Sequence, residues 1–388
     1  MKISRRANSV QPSLTRQLFN MAKNYDDVID LTLGDPDLNT PERIKAAGCR
    51  AIMQNKTKYS ANAGLAEARA VIAKHVQKIW DIPCDPDENL IVTVGGMEAL
   101  FLSLACLVDE GDEVIIFAPY YVNYVQMVTV CGGKPVIIDS YSDQLGMVID
   151  EDKVRKSITD RTVAIIINSP NNPTGSLLSK KDLKVVADIA EEYDLTVISD
   201  EVYRTLIFEG KQHESILQFP SARGRTVLID SLSKEFCMTG WRIGYTHGPA
   251  ELIKNMVKMQ ENVVACASLP SQYAVIEAYS GECEDSDTAL NEFERRCNFL
   301  YEKLSQIPGV HCVKPKGTFY LFLNIEKTGL ESYDFACRLL QQEHVAVVPG
   351  IAYGEHYTKY VRIAFTRELS VLDKAVEKIR RFVLNIAY

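Results

Sequence analysis

The chain has 388 residues, of which 46% are hydrophobic and 24% charged, with a formal net charge of −8 at pH 7. This composition is typical of a globular protein with a sizeable core, and the acidic balance argues against nucleic acid or an anionic membrane as a partner. The sequence shows no secretory signal, no membrane-length apolar run, and no zinc spacing among its ten scattered cysteines, so we expect a cytoplasmic protein without a metal site.

From about residue 88 to 250, short apolar runs alternate with amphipathic segments such as SKKDLKVVADIAEEYD. In chain order, the runs are NLIVTV, EVIIFAP, KPVIID, TVAIIINSP, LTVISDE and TVLIDS. Most are continuously apolar and rich in Val and Ile, as strands buried on both faces are. The alternation predicts an α/β fold with a mainly parallel sheet covered by helices.

Chemically active residues follow these predicted strands. In chain order they are the Gly95–Gly96 pair, Tyr120 and Tyr121, Asn171 and Asn172, Asp200 with Tyr203, and finally Ser231, Ser233 and Lys234. Ligands of open α/β sheets bind beyond the carboxyl ends of the strands, so we expect these groups to converge on one site.

Part of this set is suited to a phosphate. Gly95 and Gly96 precede a predicted helix, whose first backbone N–H groups would form an anion cradle. Ser231 and Ser233 add hydroxyl donors, and Arg242 adds a guanidinium that can bind a phosphate with two parallel hydrogen bonds. The sequence contains neither G-x-G-x-x-G nor G-x-x-x-x-G-K-[ST], so a dinucleotide or nucleoside triphosphate is not favoured.

A lysine beside a phosphate site points to a Schiff base with pyridoxal 5′-phosphate. A solvated surface lysine is the ordinary alternative, but it does not explain the serines, the arginine and the strand-end position around Lys234. Asp200 suits the protonated pyridine nitrogen of this cofactor, although an N-cap aspartate after a strand explains it equally well.

The residues resemble class I aminotransferases of the fold-type I pyridoxal-phosphate enzymes. The resemblance covers nearly the whole chain and rests on motifs that occur in the order of the family. These are LGDPDLNTP, KYSANAGLAEAR, VTVGGMEAL, PYYVNY, NSPNNPTG, SDEVY, SLSKEFCMTGWRIGY, KPKGTFYLF, VVPGIAYG and YVRIAF.

The resemblance implies a role for each matching residue. Lys234 would carry the Schiff base and act as general base, Asp200 would pair with the pyridine nitrogen, and Arg362 would bind the substrate α-carboxylate, with Gly34 and Asn172 also in the substrate site. The other implied cofactor contacts are Tyr203 and Asn172 on the ring oxygen, Tyr121 on the ring face, and Gly95, Gly96, Met97, Ser231, Ser233 and Arg242 on the phosphate. Tyr59 would reach the phosphate bound in the other subunit, which implies a homodimer with shared sites.

The resemblance also implies the architecture. A large cofactor-binding domain with a mostly parallel seven-stranded sheet would span residues 46–284, and a smaller α+β domain would combine residues 1–45 with 285–388. A regulatory module would need an additional DNA-binding domain, but only about forty residues precede the core, so we do not expect one.

The sequence carries opposing signals about the substrate. Met97 stands where aspartate-specific relatives often carry a lysine, and the stretch ENVVACASLPSQ has no basic residue, whereas Ser13 and Thr15 match an S-x-T that touches the distal group in that branch. We expect a neutral or broad L-amino donor, with 2-oxoglutarate as the acceptor that the family implies. An aspartate aminotransferase, or a lyase, cyclase or oxidase on the same scaffold, remains the alternative.

Overall fold

The computed structural model describes residues 1–281 and 284–386, except for the side chains of residue 15 and residues 284–286. Thr15, one of the predicted contacts to the distal group, therefore has its side chain outside the described part. The helices are α1 (Arg5–Ser9), α2 (Leu14–Ala22), α3 (Glu42–Met53), α4 (Ala66–Trp80), α5 (Gly96–Leu107), α6 (Asn123–Val130), α7 (Glu151–Ser157), α8 (Lys180–Glu192), α9 (Pro220–Arg223), α10 (Leu232–Glu235), α11 (Ala250–Val263), α12 (Leu269–Ser280), α13 (Glu284–Ser305), α14 (Ser332–Glu343) and α15 (Leu369–Ile386).

The strands are β1 (Ile29–Asp30), β2 (Leu90–Thr93), β3 (Glu113–Ala118), β4 (Lys134–Asp139), β5 (Tyr141–Ser142), β6 (Gly146–Met147), β7 (Thr162–Asn168), β8 (Thr196–Asp200), β9 (Thr226–Ser231), β10 (Gly244–His247), β11 (His311–Cys312), β12 (Tyr320–Asn324), β13 (Val345–Ala346), β14 (Val348–Pro349) and β15 (Tyr360–Ala364). Short 3-10 turns lie at Ile216–Gln218, Thr239–Trp241, Glu326–Thr328 and Gly350–Tyr353.

The central sheet has seven strands in the order β2-β10-β9-β8-β7-β3-β4. All neighbours pair in parallel except β10, which is antiparallel to both β2 and β9. Each of the six predicted apolar runs forms a strand of this sheet, and the predicted mainly parallel α/β fold is confirmed. The strand β10 is not among the predicted runs.

The amphipathic segment after β7 forms α8 as predicted, and its start has a local cause. Ser179 is the N-cap, and its hydroxyl accepts a hydrogen bond from the Asp182 N–H while the Asp182 carboxylate accepts one from the Ser179 N–H. This reciprocal capping box satisfies two N–H groups that a helix start would otherwise leave unpaired. The helix then buries its apolar face, including Leu183 and Val186, against the sheet core.

A second, four-stranded antiparallel sheet has the order β11-β12-β15-β14. The N-terminal segment joins this part of the chain, because β1 pairs in parallel with β13. One cluster of buried apolar side chains connects α2 with α13, α14 and α15, and includes Leu18, Phe293, Leu339 and Phe382. Residues of α2 and β1 thus pack with the C-terminal part of the chain, whereas α1 contacts α6, and β15 brings Arg362 to face the carboxyl ends of the central strands. None of the helices in the described ranges combines the length and apolar character of a membrane span.

Candidate active site

A cavity of about 510 Å³ lies at the carboxyl ends of the central strands. All of the residues to which the resemblance assigns a contact with cofactor or substrate line it, except Gly95 and Tyr59. Tyr120 and Asn171, which follow two of the predicted strands, do not line it. The predicted residues on its wall are Gly34, Gly96, Met97, Tyr121, Asn172, Asp200, Tyr203, Ser231, Ser233, Lys234, Arg242 and Arg362. The structure therefore brings together, in one cavity, groups that come from both ends of the sequence.

Lys234 lies on the single-turn helix α10, directly after β9. Its ammonium Nζ donates a hydrogen bond of 2.7 Å to the carbonyl oxygen of Gly34. The pKa of Lys234 is lowered from its ordinary 10.5 to about 8, mainly by burial; the negative charge of Asp35 opposes this effect, and the positive charges of Arg242 and Arg362 add to it. A pKa of about 8 leaves roughly a tenth of the amine neutral at pH 7, so it can act as nucleophile and base.

Asp200 is the last residue of β8 and faces the same cavity. Burial raises the pKa of Asp200 to about 6, although the Tyr124 hydroxyl donates to its Oδ2 at 2.5 Å and the Val202 N–H donates to its Oδ1 at 3.4 Å. No lysine, arginine or histidine in the described part of the chain forms an ion pair with it. A cationic partner brought by a ligand would stabilise this carboxylate.

The opposite end of the cavity suits an anion. Gly95 is the N-cap of α5 and has a φ of 78°, a left-handed conformation that side chains disfavour. A Cβ at this position would lie 2.7 Å from Nη2 of Arg242, so a side chain here would also require the Arg242 guanidinium to shift. Ser231, the last residue of β9, and Ser233 place their hydroxyl oxygens 2.8 Å apart. The helix start, two hydroxyls and a guanidinium thus face one volume.

Arg362 lies in β15 and is only 4% exposed. Its Nη1 donates to Oδ1 of Asn172 at 3.1 Å, its Nη2 donates to the carbonyl oxygen of Thr32, and the guanidinium carbon lies 4.2 Å from the ring centroid of Tyr320. Its Nε is buried and has no hydrogen-bond partner among the described residues. A buried arginine that is fixed in place and keeps a free donor is suited to a carboxylate.

Two tyrosines and a glycine shape the cavity near Lys234. The hydroxyls of Tyr203 and Tyr320 lie 3.2 Å apart, and burial raises the pKa of Tyr203 well above its ordinary value. A Cβ on Gly34 would lie 1.7 Å from the Tyr320 hydroxyl, so only glycine allows this approach. Tyr203 therefore stays a protonated donor at neutral pH, and the loop after β1 can contact the Lys234 amine.

The wall around Met97 is weakly polar. The Tyr121 hydroxyl lies 3.4 Å and the Asn123 amide nitrogen 3.5 Å from the Met97 sulfur, and that amide donates to the Tyr121 hydroxyl at 2.9 Å. Ser13 lines the same cavity. This wall carries hydrogen-bonding groups, but Met97 itself adds no charge.

A buried charged cluster supports the segments that carry Tyr203 and Lys234. Arg204 binds Asp230 and Glu235 at 2.6 Å each, and its Nη2 lies 2.8 Å from Nε2 of His75. Burial lowers the pKa of His75 to about 2, so His75 is neutral. Each of the three charged side chains is at most 8% exposed. Because these residues adjoin Tyr203, Ser231 and Lys234 in sequence, the cluster fixes their backbone.

Tyr59 does not line the cavity and is 87% exposed in the single chain. Residues that the sequence reasoning did not assign line it instead, namely Arg16, Thr32, Leu33, Leu100, Val122, Asn123, Tyr124, Asn168, Val202, Thr239 and Tyr320. The sequence could have indicated Tyr124 as a site residue, because it lies three residues after Tyr121 on the first turn of α6. Nothing in the sequence indicated Arg16 as a site residue, since it follows no predicted strand.

Comparisons with known proteins agree with this geometry. The family model described as aminotransferase class I and II matches residues 26–379. The chain is 39% identical to an aspartate aminotransferase of Pyrococcus abyssi over 98% of each chain. It is 36% identical to aromatic-amino-acid aminotransferase 2 of Thermococcus litoralis, again over 98% of each. The solved Thermus thermophilus aspartate aminotransferase with maleate superimposes with a TM-score of 0.93 at 36% identity, covering 98% of this chain and 99% of that one.

Proposed function

This chain belongs to the class I and II aminotransferase family and is therefore an enzyme that transfers amino groups; from that premise, we propose that it uses pyridoxal 5′-phosphate to move the amino group of an L-amino acid to a 2-oxo acid. The two half-reactions would alternate at one site in a ping-pong sequence. The observation that carries the proposal is the convergence of an amine of low pKa, a carboxylate without a cation and a partly free arginine on one cavity.

The residues present fit this cofactor. The Asp200 carboxylate is suited to a protonated ring nitrogen, because it has no cation of its own in the described part of the chain. Gly95, Gly96, the Met97 N–H, Ser231, Ser233 and Arg242 are suited to the phosphate, since the absence of a side chain at Gly95 lets the Arg242 guanidinium lie against the start of α5. When bound, pyridoxal 5′-phosphate supplies an aldehyde that links to amines and a ring that accepts electrons from the substrate.

The chain's own residues then have separate tasks. Lys234 would hold the cofactor through its Nζ, and after the substrate amine had taken its place, the freed Nζ would accept the proton of the substrate Cα. Arg362 binds the α-carboxylate through its free Nε and remaining N–H groups, with Gly34 beside it, and so orients the Cα–H bond toward Lys234. Tyr203 and Asn172 would donate hydrogen bonds to the ring oxygen, and Tyr121 would cover the ring.

We also propose that the enzyme is a homodimer of two-domain subunits in the cytoplasm. The exposed Tyr59 would bind the phosphate in the site of the partner subunit, so the active form would be a homodimer. Residues 46–284 would form the cofactor-binding domain, and residues 1–45 with 285–388 the smaller one. The pairing of β1 with β13 supports the grouping of both chain ends. We place the enzyme in the cytoplasm, because its scattered cysteines suit a reducing compartment.

For the substrates, we propose a neutral or broad amino donor and 2-oxoglutarate as acceptor. The uncharged Met97, Tyr121 and Asn123 around the distal end of the cavity support a donor without a second charge. The named relatives differ in their amino donor, since one is an aspartate aminotransferase and another an aromatic-amino-acid aminotransferase.

A single-turnover experiment tests this function. The purified enzyme with its cofactor is mixed with each of a panel of L-amino acids, without an oxo acid, and the products are quantified. We expect about one equivalent of 2-oxo acid per site from each active donor, and continued turnover only after 2-oxoglutarate is added. Continuous release of ammonia or of a fragmented product without an acceptor would replace transamination with oxidation or elimination.

A further inference from the structure

One side chain in the cavity contacts two of the groups to which the proposed function gives separate tasks. Tyr320 is the first residue of β12, is only 3% exposed and lines the cavity. Its hydroxyl oxygen lies 3.2 Å from that of Tyr203, and its ring centroid lies 4.2 Å from the guanidinium carbon of Arg362. Tyr203 is assigned to the ring oxygen of the cofactor and Arg362 to the substrate α-carboxylate. Tyr320 therefore contacts both of these binding groups.

The ring of Tyr320 packs on the Arg362 guanidinium. Phe322 of β12 pairs with Arg362 of β15, so Tyr320, two residues before Phe322, is a diagonal neighbour of Arg362 on the same face of the sheet. The distance of 4.2 Å is shorter than the 5.3 Å from the guanidinium carbon to the ring centroid of Tyr353. A guanidinium is attracted to an aromatic face, and stacking restricts its orientation. The Tyr320 ring thus helps to fix the direction in which Arg362 presents its free Nε–H.

The hydroxyl of Tyr320 has the hydroxyl of Tyr203 as its hydrogen-bond partner. In the part of the chain that the structure describes, neither hydroxyl forms a hydrogen bond with another residue. A phenol has one proton to donate, and its oxygen can also accept. If Tyr203 gives its proton to the cofactor ring oxygen, the bond between the two tyrosines needs the proton of Tyr320. Tyr320 then donates to Tyr203 and polarises it into a stronger donor.

Backbone contacts hold the Tyr320 hydroxyl in this position. A Cβ on Gly34 would lie 1.7 Å from the hydroxyl oxygen, so the hydroxyl packs directly against the Gly34 backbone. The carbonyl oxygen of Gly34 accepts the hydrogen bond from Nζ of Lys234. At the other end of the residue, the Tyr320 N–H donates to Oγ1 of Thr318 at 3.1 Å. The hydroxyl is thus fixed beside the loop that contacts the reactive amine.

We propose that Tyr320 is a positioning residue with two separable effects: its ring orients Arg362 toward the α-carboxylate, and its hydroxyl donates to Tyr203, which donates to the cofactor ring oxygen. This inference rests on the proposed function, in which the cofactor is linked to Lys234. A stronger hydrogen bond from Tyr203 stabilises the anionic ring oxygen and weakens its hold on the proton that it shares with the linked Nζ. The hydroxyl therefore lowers the pH at which that proton is lost, whereas the ring affects carboxylate binding.

Two substitutions in the enzyme with its cofactor separate these effects. Tyr320→Phe removes the hydroxyl and keeps the ring, whereas Tyr320→Leu removes both. The pH midpoint of the change in visible absorption of the bound cofactor should rise by about 0.2–0.6 unit in both variants. Butyrate has a single carboxylate and no amine, and its dissociation constant is measured at a pH below all of the midpoints. This constant should change less than about twofold in Tyr320→Phe and rise about 3- to 30-fold in Tyr320→Leu.

Tyr357→Phe is the matched control, because Tyr357 is 4% exposed, donates its hydroxyl to the carbonyl oxygen of Ala118 at 2.9 Å and does not line the cavity. It also loses a buried hydroxyl, but it should change neither the pH midpoint nor the butyrate affinity. Circular dichroism first shows which variants are folded, and Tyr320→Met, which fills more of the space, replaces Tyr320→Leu if the latter is not.

An unchanged midpoint in folded Tyr320→Phe, an equal shift of the midpoint in Tyr357→Phe, or an unchanged butyrate affinity in the folded variant without the ring would overturn the inference. The proposed function fails in a different way. If the wild type with added pyridoxal 5′-phosphate shows no visible absorption band of a bound cofactor, the proposed function is contradicted, and the inference about Tyr320 falls with it.

Discussion

Replacing Arg362 with alanine removes the group to which we assign the substrate α-carboxylate. The guanidinium already uses Nη1 on Asn172 and Nη2 on the Thr32 carbonyl, and the buried Nε is free. A carboxylate can therefore form about two charge-assisted hydrogen bonds with the donors that remain, each contributing about 1.5–3 kcal/mol. We expect Arg362→Ala to lose about 3–6 kcal/mol of transition-state stabilisation. The value of kcat/KM for the preferred amino donor should therefore fall roughly a hundredfold to ten-thousandfold.

Initial rates with the preferred donor, measured at saturating acceptor, give kcat/KM for the wild type and for Arg362→Ala. Arg362→Lys is the graded control, because it keeps the charge but not the fork, and it should recover about half of the lost free energy. Arg362 is buried, so circular dichroism must first show that both variants are folded at the assay temperature. A fall of less than fivefold in folded Arg362→Ala would refute its role as the α-carboxylate group.

Three further predictions concern the cofactor cradle, the buried cluster and the Lys234 amine. Gly95→Ala should weaken cofactor binding by tenfold or more in equilibrium dialysis, whereas Gly329→Ala, at a similar φ of 75° with no atom near the new Cβ, should not; equal affinities would contradict the Gly95 cradle. Arg204→Met leaves Asp230 and Glu235 buried without their cation, so the free energy of unfolding should fall by about 3–5 kcal/mol in urea, and a change below about 1 kcal/mol would contradict this account. Lys234 has a lower pKa in the folded state than in the unfolded state, so burying its charge destabilises the cofactor-free protein by about 3 kcal/mol below pH 8, and this penalty should disappear as the pH rises from 8 to 10.5. The stability difference between wild type and Lys234→Met should follow that pH window; a difference independent of pH would show that the pKa of Lys234 is not lowered.

Much of the fold was predictable because the buried strands carry a strong local signal. The runs that form β3 and β7 are almost wholly apolar, and the residues after them reach the cavity by the geometry of parallel strands. The convergence of Asp200 and Lys234 follows from the same rule. The antiparallel direction of β10 was not predictable in this way, since no local pattern encodes which neighbour a strand pairs with.

Other parts of the site depend on contacts between residues far apart in the chain. Arg16 reaches the cavity only because α2 packs against the C-terminal helices, and periodicity does not reveal that packing. The cluster around Arg204 joins His75, Asp230 and Glu235, which lie in three separate segments. Charged residues in a sequence are usually exposed, so their burial here appears only in three dimensions.

The most direct test of the central claim is to locate the covalent attachment of the cofactor and to ask what its removal does. The enzyme with its cofactor is reduced with borohydride, digested and analysed by mass spectrometry, in parallel with Lys234→Ala. We predict one cofactor per chain on the peptide that contains Lys234, and neither a covalent label nor 2-oxo acid production in Lys234→Ala. A label on a different lysine, or oxo acid formation by Lys234→Ala at a rate near that of wild type, would contradict the account.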